Sequence, residues 1–509
     1  MDGLSVEDGF RQGNRVASWA EPYLILFMSF PLLRSLRGFL SGFFLIPLLS
    51  FSDDRPHVFW IISDDLGPEL GCYGYPDVDT PHLDRLAAEG TRFTHAFATA
   101  PVCSSSRTAF QTGLYQTTIG GHHHDTRDKK PLPDSATTVT AEMQKAGYFV
   151  TNGRGGKTPD KRLAKSHFNW IYDPREFFDG QDWTQREDGQ PFFAQVQFKE
   201  PHRAFVQAEK KYPNAPIPPY YPEHPVTTAD WANYLASIEI LDQKVGILLD
   251  RLDEEGLAEN TLVIFFGDHG RPHVRGKQWL YDGGLHVPMI ARWPGKIEAG
   301  KVDDRLVSLI DLMPTTLAAA GVDVPDRLVG SNLMDPDFSG HEMLFAARDR
   351  CGDAPDRIRS VRTRDFKYIR NFHPDIPYMQ HSGYKRAGYP VDTVMRVLHE
   401  EGKWTSPFMA ETRPKEELYD LRADPNEMKN LAGDPEYTET LDSLRKALDR
   451  WMEETGDQGA VDESLTVDLE KVMEEKWDTY AKRMRRRGLD PEGPNRAYLE
   501  WWEKELGVK

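Results

Sequence analysis

The chain has 509 residues and a formal net charge of −18, with 62 Lys and Arg against 80 Asp and Glu. This length predicts two or three domains, and a hydrophobic content of 39% excludes a wholly disordered chain. The acidic balance excludes a general nucleic-acid binder, since binding phosphates needs a broad basic surface. The three cysteines, Cys72, Cys103 and Cys351, are too few for a disulfide framework.

The N-terminal part of the chain carries two apolar runs, 23–33 and 39–51. Neither reaches the roughly 20 residues that a membrane-spanning helix needs, so we expect no stable membrane span in the mature chain. Read from Met28, two arginines precede an apolar run that ends in small residues, which is the layout of a cleavable export signal. We expect residues 1–52 to direct export to the periplasm or the medium, with the mature chain beginning near Asp53. A membrane anchor and a buried helix are the alternative interpretations.

Predicted strands and helices alternate from residue 57 onward. A long helix is predicted over 228–255, where apolar residues recur every three or four positions. Runs rich in β-branched and aromatic residues predict four strands, at 57–62, 148–152, 192–198 and 261–266. This alternation predicts an α/β fold, with a mostly parallel sheet sandwiched by helices, over residues 53–340.

The pattern changes towards the C-terminus. Residues 361–372 alternate apolar and charged side chains, which predicts a half-exposed antiparallel strand. Leucines at helical spacing around Leu444 predict a packing helix. We expect a smaller α+β domain over 341–455, followed by a charged helical tail at 456–509 that wraps the surface.

Polar residues follow each of the four predicted strands. They are Asp64-Asp65, Gly156-Lys157, Pro201-His202 and Asp268-His269. Ligands of open α/β sheets bind outside the carboxyl ends of the strands, so we expect these residues to converge on one site. Each pair alone is also compatible with an ordinary turn or helix cap. Together, the carboxylates and the imidazole predict a site for a divalent cation such as Ca²⁺, Mg²⁺, Mn²⁺ or Zn²⁺.

The segment 100–115 resembles a helix start, with Cys103 at its N-terminal end. The free N–H groups and the dipole of a helix N-terminus favour an anion there. Arg107 is four residues further on, and therefore on the same face of the helix. The pattern is equally typical of a nucleophile beside a fixed cation and of a capped helix with a buried thiol.

Five segments give the chain a resemblance to the type I sulfatases of the alkaline-phosphatase superfamily, from about residue 57 to 455. They are ISDDLGPELGCYG, TPHLDRLAAEGTRFTHAFATAPVCSSSRTAFQTGLY, FGDHGRPHVRGKQWLYDGGLHVPMIARWPG, LVSLIDLMPTTLAAAG and EELYDLRADPNEMKNLA. Residues 201–203, 359–372 and the EELYDL motif are most similar to the N-sulfoglucosamine sulfohydrolase (sulfamidase) branch. The resemblance implies an alkaline-phosphatase-like fold and the release of O- or N-linked sulfate from a sulfated carbohydrate.

The same resemblance implies roles for individual residues. Cys103 would be oxidised to formylglycine by a separate maturation enzyme, with Arg107 supporting it. The ligands of a divalent cation, usually calcium with magnesium or manganese as alternatives, would be Asp64, Asp65, Asp268, His269 and the residue at position 103. The sulfate-contacting residues would be Lys157, His202 and Lys277, with Asp268 as the base and His202 as the acid.

Three positions depart from the pattern of this family. Ser105 stands where the maturation enzyme usually meets Pro or Ala, and His269 stands where many relatives have Asn. The family often has a histidine two residues after the lysine, but Pro159 follows Lys157 at that distance. A histidine of the run 122–124 or Asp160 would fill this gap.

Further substrate contacts are expected at three residues outside the motifs, His124, Arg348 and Arg350. Basic clusters at 127–130 and 154–165 would attract an anionic ligand within an otherwise acidic chain. The alternatives are a solvated turn for the histidine run and a structural salt bridge for the two arginines.

The sequence is compatible with three functions. The first is a sulfatase acting on a sulfated saccharide. The second is a phosphomonoester or phosphonate hydrolase on the same fold, because the same cation and basic pocket would stabilise a phosphoryl group. The third is a non-catalytic, metal-holding sugar-binding protein in which Cys103 stays a thiol.

Overall fold

The computed structural model describes residues 54–509. The predicted export signal and its start at Met28 lie outside the described residues. Among residues 54–509, no helix combines the length and the apolar character needed to cross a bilayer.

The main sheet has seven strands in the order β3-β4-β1-β5-β6-β2-β7. Its four parallel pairs are β1 with β4 and β5, β3 with β4, and β2 with β7, whereas β6 runs antiparallel to both β5 and β2. The strands are β1 His57–Ser63, β2 Thr91–Phe97, β3 Phe149–Gly153, β4 Phe192–Phe198, β5 Thr261–Gly267, β6 His286–Arg292 and β7 Lys301–Ser308. All four predicted strands are present, and β2, β6 and β7 were not predicted.

Helices cover both faces of this sheet, as the near-continuous apolar strands require. Along β1, Phe59 and Ile61 pack into the core beneath α5, while Trp60 and Ile62 pack into the core on the opposite face. The helices are α1 Pro81–Glu89, α2 Cys103–Thr112, α3 Val139–Lys145, α4 Pro174–Phe177, α5 Pro225–Glu254, α6 Asp282–Leu285, α7 Leu312–Ala319, α8 Gly383–Gly388, α9 Pro390–Glu400, α10 Thr438–Glu454, α11 Leu469–Arg486 and α12 Asn495–Glu505. The predicted α/β class is confirmed.

A separate antiparallel sheet of four strands follows, in the order β11-β10-β9-β8. Its strands are β8 Leu344–Arg348, β9 Ile358–Arg362, β10 Phe366–Asn371 and β11 Glu416–Asp420. The amphipathic helix α10 packs on it through Leu441, Leu444, Leu448 and Trp451. The smaller α+β unit is therefore present, whereas its boundaries at 341 and 455 stay a prediction.

The prediction of one strand over 361–372 is wrong. The segment is a hairpin, because the chain turns between β9 and β10. The Thr363 hydroxyl accepts hydrogen bonds from the backbone N–H groups of Asp365 and Phe366, at 3.3 Å and 2.9 Å. The residues of this turn continue the alternation of apolar and polar side chains. The alternation pattern alone therefore did not reveal the turn.

Candidate active site

The carboxyl ends of the two central strands bring acidic residues together. β1 and β5 pair in register up to Ser63 and Gly267, and Asp64 and Asp268 come directly after these residues. Asp65 has a φ of 68°, and its backbone N–H donates to Asp268 Oδ1 at 3.0 Å. The strand register thereby joins residues that are 203 positions apart in the chain.

Cys103 is the first residue of α2, and its thiol contacts the acidic group. Its Sγ lies 3.3 Å from Asp64 Oδ1, 3.3 Å from His269 Nε2 and 3.2 Å from Lys277 Nζ. Burial and the Asp64 carboxylate would raise the pKa of this thiol, but the surrounding cations, led by Lys165 and Lys277, lower it well below its usual value. The helix start and the strand ends thus form one site.

Four of these side chains form a buried group of potential metal ligands. One ligand atom from each of Asp64, Cys103, Asp268 and His269 lies within 4.8 Å of the others. Asp65 adjoins them, and its Oδ2 is buried with no hydrogen-bond partner among the described residues. Burial raises the pKa of Asp268 to about 6, and the neighbouring Asp64 carboxylate adds to that rise. Buried carboxylates repel one another, and one of these has an oxygen without a hydrogen-bond partner. Such a group of carboxylates is suited to binding a hard divalent cation.

Arg107 and Lys277 contact the carboxylates of this group directly. Arg107 Nε donates to Asp268 Oδ2 at 2.9 Å, and Lys277 Nζ donates to Asp65 Oδ1 at 2.7 Å. Arg107 Nη2 is buried, lies 3.8 Å from Asp64 Oδ1 and makes no hydrogen bond within residues 54–509. A free guanidinium N–H at this position can bind an oxygen of an anion.

The structure corrects the choice of Lys157, which lies in an exposed loop and does not line the pocket. β3 ends at Gly153, so the chain has left the sheet before it reaches this lysine. Lys165 lines the pocket instead, with Nζ 2.7 Å from Asp64 Oδ2. Lys165 and His167 are two residues apart, which is the spacing that is missing after Lys157. Applying that spacing along the whole basic cluster would have identified Lys165.

His124 and His167 meet at Asp125 and line the same pocket. His167 Nε2 hydrogen-bonds to the Asp125 carboxylate, and His124 Nδ1 lies 3.1 Å from the Ser104 hydroxyl. Burial lowers the pKa of His124 to about 4, so this imidazole is neutral at physiological pH. The structure thus places His124 at the pocket, whereas Asp160 pairs with Arg162.

His202 follows β4 and also lines the pocket. Its Nδ1 donates to the backbone carbonyl of Arg203 at 2.6 Å, and its Nε2 lies 3.8 Å from Asp65 Oδ2. Because Nδ1 is occupied by the carbonyl, Nε2 is the ring atom available to a bound molecule.

Arg348 and Arg350 do not line the pocket. Arg348 lies at the end of β8 and forms a buried ion pair with Asp356. Arg350 forms two hydrogen bonds to Glu463, at 2.6 Å and 2.7 Å. The structural salt bridge, the alternative interpretation, is therefore the observed one for both arginines.

The pocket above Cys103 has a volume of 310 Å³ and reaches the C-terminal helices. Its outer wall comes from α11, a helix that we expected only to wrap the surface. The residues of α11 that line it are Lys476, Thr479, Tyr480 and Arg483. Their spacing of three and four positions marks one face of a helix, but the sequence does not show what that face meets.

Comparisons with known proteins agree with this geometry. Residues 56–322 match the family model described as Sulfatase. An ulvan-active sulfatase of Formosa agariphila is 33% identical over 470 residues, covering 81% of this chain and 77% of that protein. N-sulphoglucosamine sulphohydrolase of Homo sapiens is 27% identical over 495 residues, covering 85% and 98%. A solved structure of a protein with its substrate D-glucosamine-2-N,6-O-disulfate has a TM-score of 0.60 at 18% identity, covering 80% and 100%, which shows the shared fold.

Proposed function

The chain belongs to the sulfatase family, and on that premise we propose that it releases sulfate from a sulfated carbohydrate with formylglycine derived from Cys103 and a bound calcium ion. One observation carries the proposal. The thiol of Cys103 lies within 3.3 Å of an aspartate, a histidine and a lysine, at the carboxyl ends of the central strands. An oxidisable thiol, a set of metal ligands and fixed cations thus occupy one pocket.

The metal and the modified residue supply the reacting groups. Hydrated formylglycine would carry two hydroxyls on one carbon. One would attack sulfur while the S–O or S–N bond to the sugar breaks, and loss of the proton from the other would then re-form the aldehyde while the C–O bond to sulfate breaks. Asp64, Asp65, Asp268 and His269 would hold a divalent cation, which would supply Lewis-acid chemistry by lowering the pKa of a nearby hydroxyl.

The cationic side chains bind and stabilise the sulfate. Arg107, Lys165 and Lys277 each donate to a carboxylate of the site, so their positions are fixed before the substrate arrives. Preorganised charges of this kind are usually the largest contribution to catalysis. Arg107 Nη2, which has no hydrogen-bond partner among the described residues, can donate to a sulfate oxygen.

His202 and Asp268 are the candidates for proton transfer. Since Nδ1–H of His202 donates to the Arg203 carbonyl, Nε2 carries a proton only in the imidazolium form. In that form His202 can give the Nε2 proton to the departing oxygen or nitrogen of the sugar and become neutral. Asp268, which lies in the same buried group as the Cys103 thiol, can take a proton from the hydroxyl at position 103.

The proposal is tested by determining the modification at position 103 and the activity of the same protein sample. Protein produced together with a formylglycine-generating enzyme is digested, and the peptide spanning 100–115 is analysed by mass spectrometry. Turnover of 4-nitrophenyl sulfate and of 4-nitrophenyl phosphate is then measured on the same sample. We expect an aldehyde at position 103 and a preference for the sulfate ester. An unmodified Cys103 with saccharide binding but no sulfate release, or a strong preference for phosphate, would overturn the proposal.

The relatives point to two substrate classes, sulfated ulvan and N-sulfated glucosamine. We propose that the substrate is a sulfated polysaccharide fragment of this kind, and sulfate release from N-sulfo and O-sulfo sugars tested side by side decides the linkage.

We also propose that residues 1–52 direct export. N-terminal sequencing of exported native protein should find a start near Asp53, and a start at Met1 would contradict export by cleavage.

A further inference from the structure

The outer wall of the active-site pocket lies outside the segment that matches the sulfatase family. The family match ends at residue 322, whereas α11 spans Leu469–Arg486. Two cations of α11, Lys476 and Arg483, line the pocket together with Cys103. This wall therefore belongs to the C-terminal segment of this chain.

Several contacts hold α11 in place. Gly383 of α8 permits a close approach, because a Cβ at that position would lie 2.8 Å from the Cβ of Tyr480. The Tyr480 hydroxyl lies 3.0 Å from that of Tyr498 and donates to the Pro491 carbonyl at 3.1 Å. Just beyond the helix, Arg487 donates to the Ala387 carbonyl at 2.7 Å. The cations of α11 are thus presented by a packed helix.

Lys476 and Arg483 differ from the deeper cations of the pocket in their partners, although the charge of Lys476 contributes to the lowered pKa of Asp125. Lys165 and Lys277 are each paired with an aspartate of the metal-ligand group. Within residues 54–509, neither Lys476 nor Arg483 forms an ion pair.

The acidic residues nearby form their direct contacts with other groups. Asp125 is paired with His167, and the Asp353 carboxylate accepts a hydrogen bond from the Gly383 N–H at 2.7 Å. Two cations remain available to an anion that enters the pocket.

A second pocket adjoins the first and extends the binding surface. It has a volume of 270 Å³ and shares Tyr384 and Arg483 with the active-site pocket. Trp501 and Trp502 of α12 line it, and both are half-buried. Charged side chains, among them Arg487 and Glu505, line it beside the tryptophans, and a ligand pocket needs such placed polar groups to orient what it binds. Arg483 stands where the two pockets meet.

We infer that α11 and α12 form a second sugar subsite, in which Lys476 and Arg483 bind the carboxylate or sulfate of the residue next to the one that loses its sulfate. The inference rests on the proposed function and narrows its substrate to an oligosaccharide with at least two anionic groups. Arg and Lys suit carboxylate and sulfate oxygens, and the tryptophan-lined pocket accommodates the adjoining ring.

The test compares two double variants of the same helix. K476A/R483A removes the cations that line the pocket, whereas K482A/R486A removes two exposed cations of α11 that do not line it. Both change the net charge equally. We expect K476A/R483A to lower kcat/KM by about 10- to 100-fold on sulfated, uronate-containing tetrasaccharides from heparin or ulvan, mainly through KM. The same variant should lower kcat/KM for 4-nitrophenyl sulfate much less than for the tetrasaccharides, because this ester carries no second anionic group, and K482A/R486A should match the parent on both substrates.

A binding measurement distinguishes failure of this inference from failure of the proposed function. In the Cys103→Ala background, calorimetry measures the affinity for the same tetrasaccharides and for glucosamine-2-N,6-O-disulfate. We expect tighter binding of a tetrasaccharide, and K476A/R483A should abolish the difference. If the tetrasaccharides bind no tighter than the monosaccharide, or if both double variants weaken them equally, the subsite is refuted even when sulfate release is intact. If the parent protein releases no sulfate, the proposed function fails and the binding series still decides the subsite.

Discussion

The sequence prediction placed Lys157 at the candidate active site, whereas the structure places Lys165 there. Its Nζ is 2.7 Å from Asp64, whereas Lys157 is exposed in the preceding loop. In Lys165→Ala we expect kcat/KM for 4-nitrophenyl sulfate to fall by about 10²–10³-fold, the usual cost of removing one preorganised donor from the reacting group. Lys157→Ala is the matched control, with turnover close to that of the parent. Equal activity of the two variants would contradict the assignment of Lys165.

Asp356 lies between two buried arginines, Arg348 and Arg413. Asp356→Ala leaves both guanidinium groups buried without a counter-ion, so we expect a loss of about 3–5 kcal/mol in the free energy of unfolding. Urea denaturation measures this loss. The control is Asp304→Ala, which breaks an exposed pair with Arg364 and should have little measurable effect.

The same carboxylate makes stability depend on pH. Burial would raise the pKa of Asp356, but the Arg348 and Arg413 charges outweigh burial and lower it. A group with a lowered folded-state pKa stabilises the protein above its unfolded-state pKa of about 4, and this contribution is lost as the pH falls further. The stability gap between the parent and Asp356→Ala should therefore narrow in acid, and a constant gap from pH 7 to acid would contradict this explanation.

At the scale of elements, the strands that end at the site were predictable and the loops between them were not. β1, β4 and β5 are short apolar runs, and polar residues follow them directly, so the rule for strand ends located Asp64 and Asp268. β2 and β7 are more polar than these central strands, and their pairing depends on distant partners that no local pattern reveals.

The contact between α8 and α11 depends on the absence of a side chain at Gly383. In Gly383→Ala the added Cβ would lie 2.8 Å from the Cβ of Tyr480, so we expect a loss of about 1–3 kcal/mol in the free energy of unfolding. Gly388 ends the same helix and has no atom within 4 Å of its would-be Cβ, which makes Gly388→Ala the control. Denaturation measures stability, and limited proteolysis at α11 shows whether the helix loosens. Equal stability of both variants would show that the close approach is not required.

At the scale of the whole molecule, the site is assembled from segments that are distant in the chain. Asp65 and Lys277, which share a hydrogen bond, are 212 positions apart. The residues that form the site could be predicted from the motifs, because the residues within each motif keep a fixed order and spacing. The α11 wall could not be predicted, since an amphipathic helix pattern shows that a face packs without showing which surface it meets.

The proposed metal site would couple this assembly to the stability of the fold. The raised pKa of Asp268 shows that burial disfavours its charged form, and a bound divalent cation would offset this cost. A cation that binds only the folded state stabilises it by RT ln(1 + [L]/Kd). We expect a chelator to lower both the Tm and sulfate release, and added Ca²⁺ at about 100 times its Kd to restore about 2.7 kcal/mol. Asp268→Asn removes one carboxylate and should reduce the Ca²⁺-dependent rise in Tm. A Tm that responds neither to chelator nor to Ca²⁺, measured by calorimetry on the full chain, would show that these carboxylates are not held by a metal.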